Sequence, residues 1–377
     1  MKLNKKSALF MLMIIPFLCN GCSHDMNRKE IDEINFIHVM GIDFADGEYT
    51  VSALYSSEGG ADPEAGGSGG GGKEEITEGK GKTPYQAMED IRLKNKKTIS
   101  VANTGYFLIG DEAARNGIED CLDFLSRDET IKMEALVYIV QNSSATDFLK
   151  QGLKDKQTIH EDLEAVEQKQ MELVTRNDNT LVNILNDMEQ NYSSVLIPYL
   201  VSQEKSFLIK GYSVFDQLKL KDYLDLETSS GVNFVKDIIR VYPIHLNNQV
   251  GLALSYSNTK LKSELKGKQV KVSIHVDFET MIKEIMGGEQ VFTRDALMEL
   301  TELQNEYIKK IIKKAVDYSV NTGLDILQIA RLVENQHVGK WNEFAEGWKD
   351  TISEIEYEYT VNSKISKSFL LGDEEQR

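Results

Sequence analysis

Apolar and polar residues follow two different periods along this chain, and each change of period marks an element. Behind Lys2, Lys5 and Lys6, an unbroken apolar run from Ala8 to Leu18 ends in Cys19-Asn20-Gly21-Cys22. These eleven residues fall well short of the ~20 needed to cross a bilayer, so the segment reads as a signal peptide over residues 1–21. Strand-like segments follow. Phe36 to Asp43 is rich in Ile, Val and Phe, and Glu48 to Tyr55 places Tyr49, Val51, Ala53 and Tyr55 on one face. With Ala45-Asp46-Gly47 between them, they predict a β-hairpin.

From Glu58 to Gly72 the composition shifts to Gly, Ser, Ala, Asp and Glu, which predicts a flexible surface loop. Thr83-Pro84 then signals an N-cap and a first-turn proline for a helix through Lys94, with Tyr85, Met88, Ile91 and Arg92 at helical spacing. The pattern continues with a strand over Thr98 to Ile109, a helix over Glu112 to Leu125, a strand over Ala135 to Gln141 and a helix from near Ser144. Leu163 to Met188 is helical and polar, and Val195 to Val201 closes the segment as a strand. The order predicts a mixed sheet-and-helix domain over residues 22–202.

A second domain is expected over residues 206–371. Phe207 to Phe215, interrupted by Gly211, predicts two short strands or one bulged strand; Lys219 to Leu226 follows, and Glu227 to Gly231 reads as a helix start or turn. Strands are expected around Ile238 to Pro243, Val250 to Tyr256 and Val270 to Ile285. A long amphipathic helix over Asp295 to Asn321 carries Leu297, Leu300, Leu303, Tyr307, Ile311 and Ala315 on one face, stopped by Gly323 and followed by a helix over Asp325 to Glu334. In the last strand, Ile355, Tyr357, Tyr359 and Val361 alternate with Glu354, Glu356, Glu358 and Thr360, a core face against a solvated acidic one. The fold class is α+β, with several mixed domains and a C-terminal antiparallel sheet packed with a long helix.

Charge and cysteine content narrow the function. The formal net charge is −17, and the leader lysines are part of that count, so the mature chain is more acidic still. Such a surface repels nucleic acid and anionic headgroups, so membrane attachment would come from a lipid rather than a basic patch. A small residue directly before Cys22 is the pattern of bacterial lipoprotein processing: the thiol is acylated, and cleavage makes Cys22 the new N-terminus. Cys121 is then the sole remaining cysteine, so no internal disulfide can form.

No motif for catalysis or cofactor binding stands out. Gly67 through Lys73 spells G-x-x-x-x-G-K, but Glu74 occupies the position that needs a Ser or Thr hydroxyl, so the stretch reads as a plain loop. His24, His38, His160, His245, His275 and His337 are scattered singly, without metal-ligand spacing. There is no G-x-S-x-G elbow between a strand and a helix, no H-E-x-x-H helix and no dinucleotide G-x-G-x-x-G after a strand. Trp341 and Trp348 read as core aromatics, with partner anchors as the competing reading.

Taken in succession, these features resemble the Ger(x)C family, the lipoprotein C subunits of nutrient germinant receptors. The N-terminal likeness rests on Cys22, Asp25, Glu30-Ile31-Asp32 and Gly41-Ile42-Asp43, with Ser23-His24 in place of the usual tryptophan. The C-terminal likeness rests on Gly211-Tyr212-Ser213-Val214-Phe215, Leu224 through Glu227, Gly231, Glu284, Asp325-Ile326-Leu327 and Trp341. The resemblance implies a non-enzymatic, cofactor-free subunit, lipid-anchored at Cys22 on the outer face of the inner spore membrane, acting with membrane-embedded A and B subunits. It makes Gly211, Phe215, Glu227 and Gly231 candidate partner contacts. A solute-binding lipoprotein of an importer shares the anchor and the size, but would show two repeated α/β lobes, and no internal repeat is present.

Overall fold

Strands buried on both faces need continuous apolar runs, while strands with one wet face alternate, and the chain uses both kinds. The computed structural model describes residues 30–57, 73–155, 158–173, 179–190, 192–203, 206–247, 249–286 and 293–366. The expected signal peptide, Cys22 and the expected loop at 58–72 lie outside the described residues. Residues 1–34 form a unit of their own, of which a short 3₁₀ turn at Ile31–Glu33 is described.

The first sheet has nine strands: β1 (Ile34–Ala45), β2 (Glu48–Ser57), β3 (Lys73–Gly81), β4 (Thr98–Ser100), β5 (Tyr106–Gly110), β6 (Leu136–Val140), β7 (Val195–Gln203), β8 (Ser206–Asp216) and β9 (Lys219–Tyr223). Their order is β3-β2-β1-β5-β6-β7-β8-β9, with β4 paired to β1 off that path. The central pairs β1–β5, β5–β6 and β6–β7 are parallel and the flanking pairs antiparallel. The predicted hairpin is present: Asp46 and Gly47 take positive φ of 53° and 75°, as a tight turn between twisted strands requires.

Helices cover both faces. On one side lie α1 (Pro84–Lys94), α2 (Asp111–Asn116), α3 (Glu119–Arg127) and a later helix over Leu181–Met188; on the other lie α4 (Ala145–Lys154) and α5 (Ile159–Leu173). In chain order the Leu181–Met188 helix is α6. Strand β6 shows why its sequence is continuously apolar: Val137 and Ile139 enter one core, Leu136, Tyr138 and Val140 the other.

Several boundaries differ from the sequence expectation, each for a local reason. The Thr98–Ile109 strand is two strands separated by a turn in which Thr104 N–H bonds the Val101 carbonyl. The Glu112–Leu125 helix breaks at Gly117, whose φ is 134°. On α1, Thr83 caps Gln86 N–H as expected, but Ala87, Met88 and Ile91 face the core while Tyr85 is exposed. Strand β3 was missed because Lys73-Glu74-Glu75 reads as solvated, yet it pairs with β2 over nine residues.

The chain passes 202–206 without leaving the first sheet, since β7 and β8 form an antiparallel pair from Gln203↔Ser206 to Val195↔Phe215. Strand β8 is single and bulged: Tyr199 faces Gly211 and Leu200 faces Ile209, which leaves Lys210 as the extra residue. Helix α7 (Leu226–Val235) follows, capped by Asp225 through Thr228 N–H at 2.8 Å. The expected strand at Ile238–Pro243 is absent: the chain turns at Asp237, φ 57°, and β10 (Pro243–Leu246) begins where that strand was to end.

The second sheet runs β10, β11 (Val250–Lys266), β12 (Gln269–Ile285) and β13 (Glu356–Ser366). It is antiparallel except at its edge, where β13 returns parallel to β12 after a helical crossover. That crossover contains α8 (Arg294–Thr322), α9 (Ile329–Gln336), α10 (Asn342–Ala345) and α11 (Trp348–Ser353). Gly323, left-handed at φ 67°, ends α8 as expected. The core face of α8 includes Leu300, Ile308, Ile311, Ile312, Ala315 and Val316, with Leu303 and Tyr307 at its margin. Gln304 is also buried there, accepting from Thr280 Oγ1 at 2.8 Å and donating to Ser363 Oγ at 2.6 Å.

Candidate functional site

The residues singled out by sequence fall into two groups, those that hold the fold together and those left on its surface. Gly41 and Asp43 belong to the first. A Cβ on Gly41 would collide with Ser52 Oγ, and Asp43 receives Ala145 N–H at 2.6 Å, Thr146 N–H at 2.9 Å and the Thr146 hydroxyl at 2.7 Å. The Gly-Ile-Asp motif thus lets the start of α4 approach β1 and caps it. Burial pushes the Asp43 pKa up, opposed by those donors.

Gly211 and Gly231 play the same part in the second half. Gly211 sits at φ 146° with the Leu224 carbonyl where a side chain would be. At Gly231, a Cβ would press into the Ile311 carbonyl and Ala315 Cβ, so this glycine sets the close crossing of α7 and α8. Phe215 is 1% exposed, within the first sheet's core. Three of the four expected partner contacts are therefore buried. Glu227 alone reaches the surface, where Lys314 Nζ bridges it at 2.7 Å and Asp225 at 2.6 Å. Burial would raise the Asp225 pKa, but bonds from Lys314 and Thr228 outweigh it and hold it low.

Asp325 is the most constrained polar group. It is fully buried and accepts from Ile329 N–H (2.8 Å), Ala330 N–H (2.7 Å), Trp348 Nε1 (3.2 Å) and Ser193 Oγ (3.3 Å). Its carbonyl also accepts Ser194 N–H at 3.0 Å, tying the entry to β7 to the α8–α9 turn. Burial pushes its pKa up, against the pull of its four donors. Trp348 and Trp341 are buried, as the core reading expected, and pack edge-on in series with Tyr192, Trp348 to Trp341 at a centroid distance of 5.2 Å and Trp341 to Tyr192 at 5.1 Å.

Beside this knot lies a cleft of about 740 Å³ whose lining includes Asp187, Tyr192, Asp216, Asp325, Trp348 and Lys349. Three of its charged groups have partners: Lys349 Nζ pairs with Asp216 at 3.2 Å and Asp187 accepts from Gln328 Nε2 at 3.1 Å. The Cys121 thiol is buried and its pKa is pushed up to about 12, by burial first and then by Asp120 and Asp43, which removes it as a neutral-pH nucleophile.

Glu74, the residue that spoils the phosphate-loop pattern, accepts Ile159 N–H at 2.7 Å and His160 N–H at 3.1 Å and so caps α5 from β3. Sequence reasoning also missed a histidine pair. His38 on β1 and His160 on α5 stack at 4.9 Å, with Tyr106 edge-on to His160 at 5.7 Å. Their separation in sequence hides this; only the parallel sheet order brings them together. Burial, then His160, lowers the His38 pKa. Among the described residues, no group of three or more His, Cys, Asp or Glu is arranged to hold a metal, and no helix is long and apolar enough to cross a membrane.

Comparison with known proteins places this architecture. The model for the spore germination protein N-terminal domain matches residues 27–202, and the model for the spore germination B3/GerAC-like C-terminal domain matches residues 210–368. YfkR of Bacillus subtilis (strain 168), named as a spore germination protein, is 24% identical over 316 residues, covering 81% of each chain. The crystal structure of the GerBC protein superposes with a TM-score of 0.56 at 17% identity, covering 86% of this chain and 96% of that one.

Proposed function

The chain belongs to the GerAC-like family of spore germination proteins, and from that premise we propose that it is the lipid-anchored, non-enzymatic C subunit of a nutrient germinant receptor. The observation that carries the reading is the match of two consecutive germination-protein models to nearly all of the described chain. Cys22 is the anchor: its thiol takes the lipid and holds the folded part on the outward face of the inner spore membrane. Two or more acyl chains hold a protein firmly, at about 0.8 kcal/mol per buried methylene. Membrane-embedded A and B subunits are the partners. The two unlike sheets argue against an importer's solute-binding lipoprotein, which needs two similar lobes around its ligand.

Deleting the protein is expected to abolish the nutrient response of its own receptor, leave unrelated germination routes intact, and reduce recovery of the membrane subunits. Normal nutrient germination in a deletion strain lacking a redundant receptor would overturn the proposal. For the anchor, Cys22→Ala should leave an unprocessed precursor without lipid; a normally lipidated product from that variant would refute the assignment.

A further inference from the structure

The outer edge of the second sheet is open. β13 pairs with β12 over all eleven residues from Lys271↔Glu356 to Met281↔Ser366. Among the described residues, nothing hydrogen-bonds to the backbone on its other side. In a parallel edge strand every second residue turns its N–H and C=O outward, a template for another strand. Most such edges are short, bulged or covered; this one is long and regular.

A second observation concerns its side chains. On β12, the inward residues Val272, Ile274, Val276 and Phe278 are sealed beneath α8, at no more than 2% exposure. On β13, Tyr357, Tyr359, Val361 and Ile365 continue the same apolar row but are only partly covered. The outward residues Glu356, Glu358, Thr360, Asn362, Lys364 and Ser366 are exposed. The sheet therefore stops one strand before its apolar face is closed.

The sequence of β13 matches itself when reversed. In an antiparallel pair of two copies centred on Val361, Glu358 lies opposite Lys364, Thr360 opposite Asn362, and Glu356 opposite Ser366, all on the wet face. On the apolar face Tyr357 lies opposite Ile365 and Tyr359 opposite Ser363. A two-fold axis makes each pairing occur twice, which is the self-complementarity that an isologous interface requires. Directly opposed unlike charges and apolar pairs stabilise antiparallel strands, and like charges in the same place destabilise them. We propose that β13 is a homodimerisation edge, joining two copies of this chain antiparallel about Val361 into a continuous eight-stranded sheet.

The test is sedimentation velocity on the full chain in detergent, combined with cysteine cross-linking at Val361→Cys, where the two copies meet on the axis. The expected result is a dimer that cross-links through position 361. Lys364→Glu sets Glu against Glu twice and should weaken dimerisation by about ten-fold or more. The double reversal Glu358→Lys with Lys364→Glu should restore it. All these positions lie on the edge strand, so circular dichroism can confirm that each variant is folded. A chain that stays monomeric throughout the micromolar range overturns the proposal, as does a dimer indifferent to Lys364→Glu and not cross-linked at 361.

Discussion

In the first sheet β5 and β6 are buried on both faces, whereas in the second β12 buries one face under α8, β13 carries the same apolar row only partly covered, and the other face is left to solvent. The difference explains where the polar residues went. Helices laid on both sides of the first sheet bring buried helix ends with them, and Asp43 and Glu74 supply the missing acceptors from neighbouring strands. The second sheet needs no such caps on its wet face. Its polar residues form cross-strand pairs instead, such as Lys271 with Glu358 at 3.2 Å. Recognisable motifs in the first region and in α7 mark close packing, while the surface that a partner can reach carries ordinary charged residues.

Substitutions should therefore cost most at buried caps and glycines and least on the wet face. The largest effect is expected at Asp325, which joins the two regions. Asp325→Ala removes the acceptor of two backbone amides, an indole N–H and a hydroxyl in a fully buried site. Each orphaned buried donor costs about 1–3 kcal/mol, and with partial relaxation the total should reach about 3–5 kcal/mol. Denaturant unfolding would check this; a loss below about 1 kcal/mol would mean that the knot does not hold the regions together.

Gly231→Ala comes next, at about 2–3 kcal/mol, because one methyl has to enter space occupied by the Ile311 carbonyl and Ala315 Cβ. An equally stable variant would show that α7 and α8 can separate without cost, and the glycine would then be free for the partner role its motif suggested.

What could be read from sequence follows the same division. The Asp46-Gly47 hairpin, the Thr83 cap and the Gly323 stop were legible because each is fixed by residues within a few positions of one another. The α+β class followed from the order of such elements. The roles of Glu74, Asp43 and Asp325 were not, since their partners are set by tertiary packing: Glu74 caps a helix 85 residues away. Carboxylates are common in this chain, and nothing local distinguishes a buried cap from a solvated one. The direction of β13 was hidden for a similar reason, because alternation reports a strand's faces and not its neighbour's direction.

A smaller effect, confined to the first region, is expected from pH. His38 has a folded pKa below its ordinary 6.5, so the unfolded chain takes up the proton first. Stability from this group is thus present above pH 6.5 and is lost as pH falls through the lowered folded value. The groups gathered there are His160, Glu164 and Glu167 on α5, Tyr106 on β5, Tyr138 on β6 and Glu74 on β3. His38 is partly exposed to solvent screening, so the loss between pH 7.5 and 5.5 should stay below about 1 kcal/mol. Comparing denaturation midpoints with His38→Gln isolates it; an identical pH profile in the variant would remove the pair from the account.

The smallest effect on stability is expected at Glu227, and its smallness makes it informative. Lys314 bridges both Glu227 and Asp225, so removing one carboxylate leaves the ammonium paired, and both side chains of the Glu227 bridge are 39% exposed. Glu227→Ala should change the unfolding free energy by about 0.5 kcal/mol or less. Of the four candidate partner contacts, Gly211, Phe215, Glu227 and Gly231, it is the one whose side chain reaches the surface. If the variant folds and dimerises normally yet no longer holds the other receptor subunits during copurification, the start of α7 is the docking face. If copurification and nutrient response are both unchanged, the pattern around Gly211 to Gly231 records packing alone, and the docking face has to be sought on a surface that carries no motif.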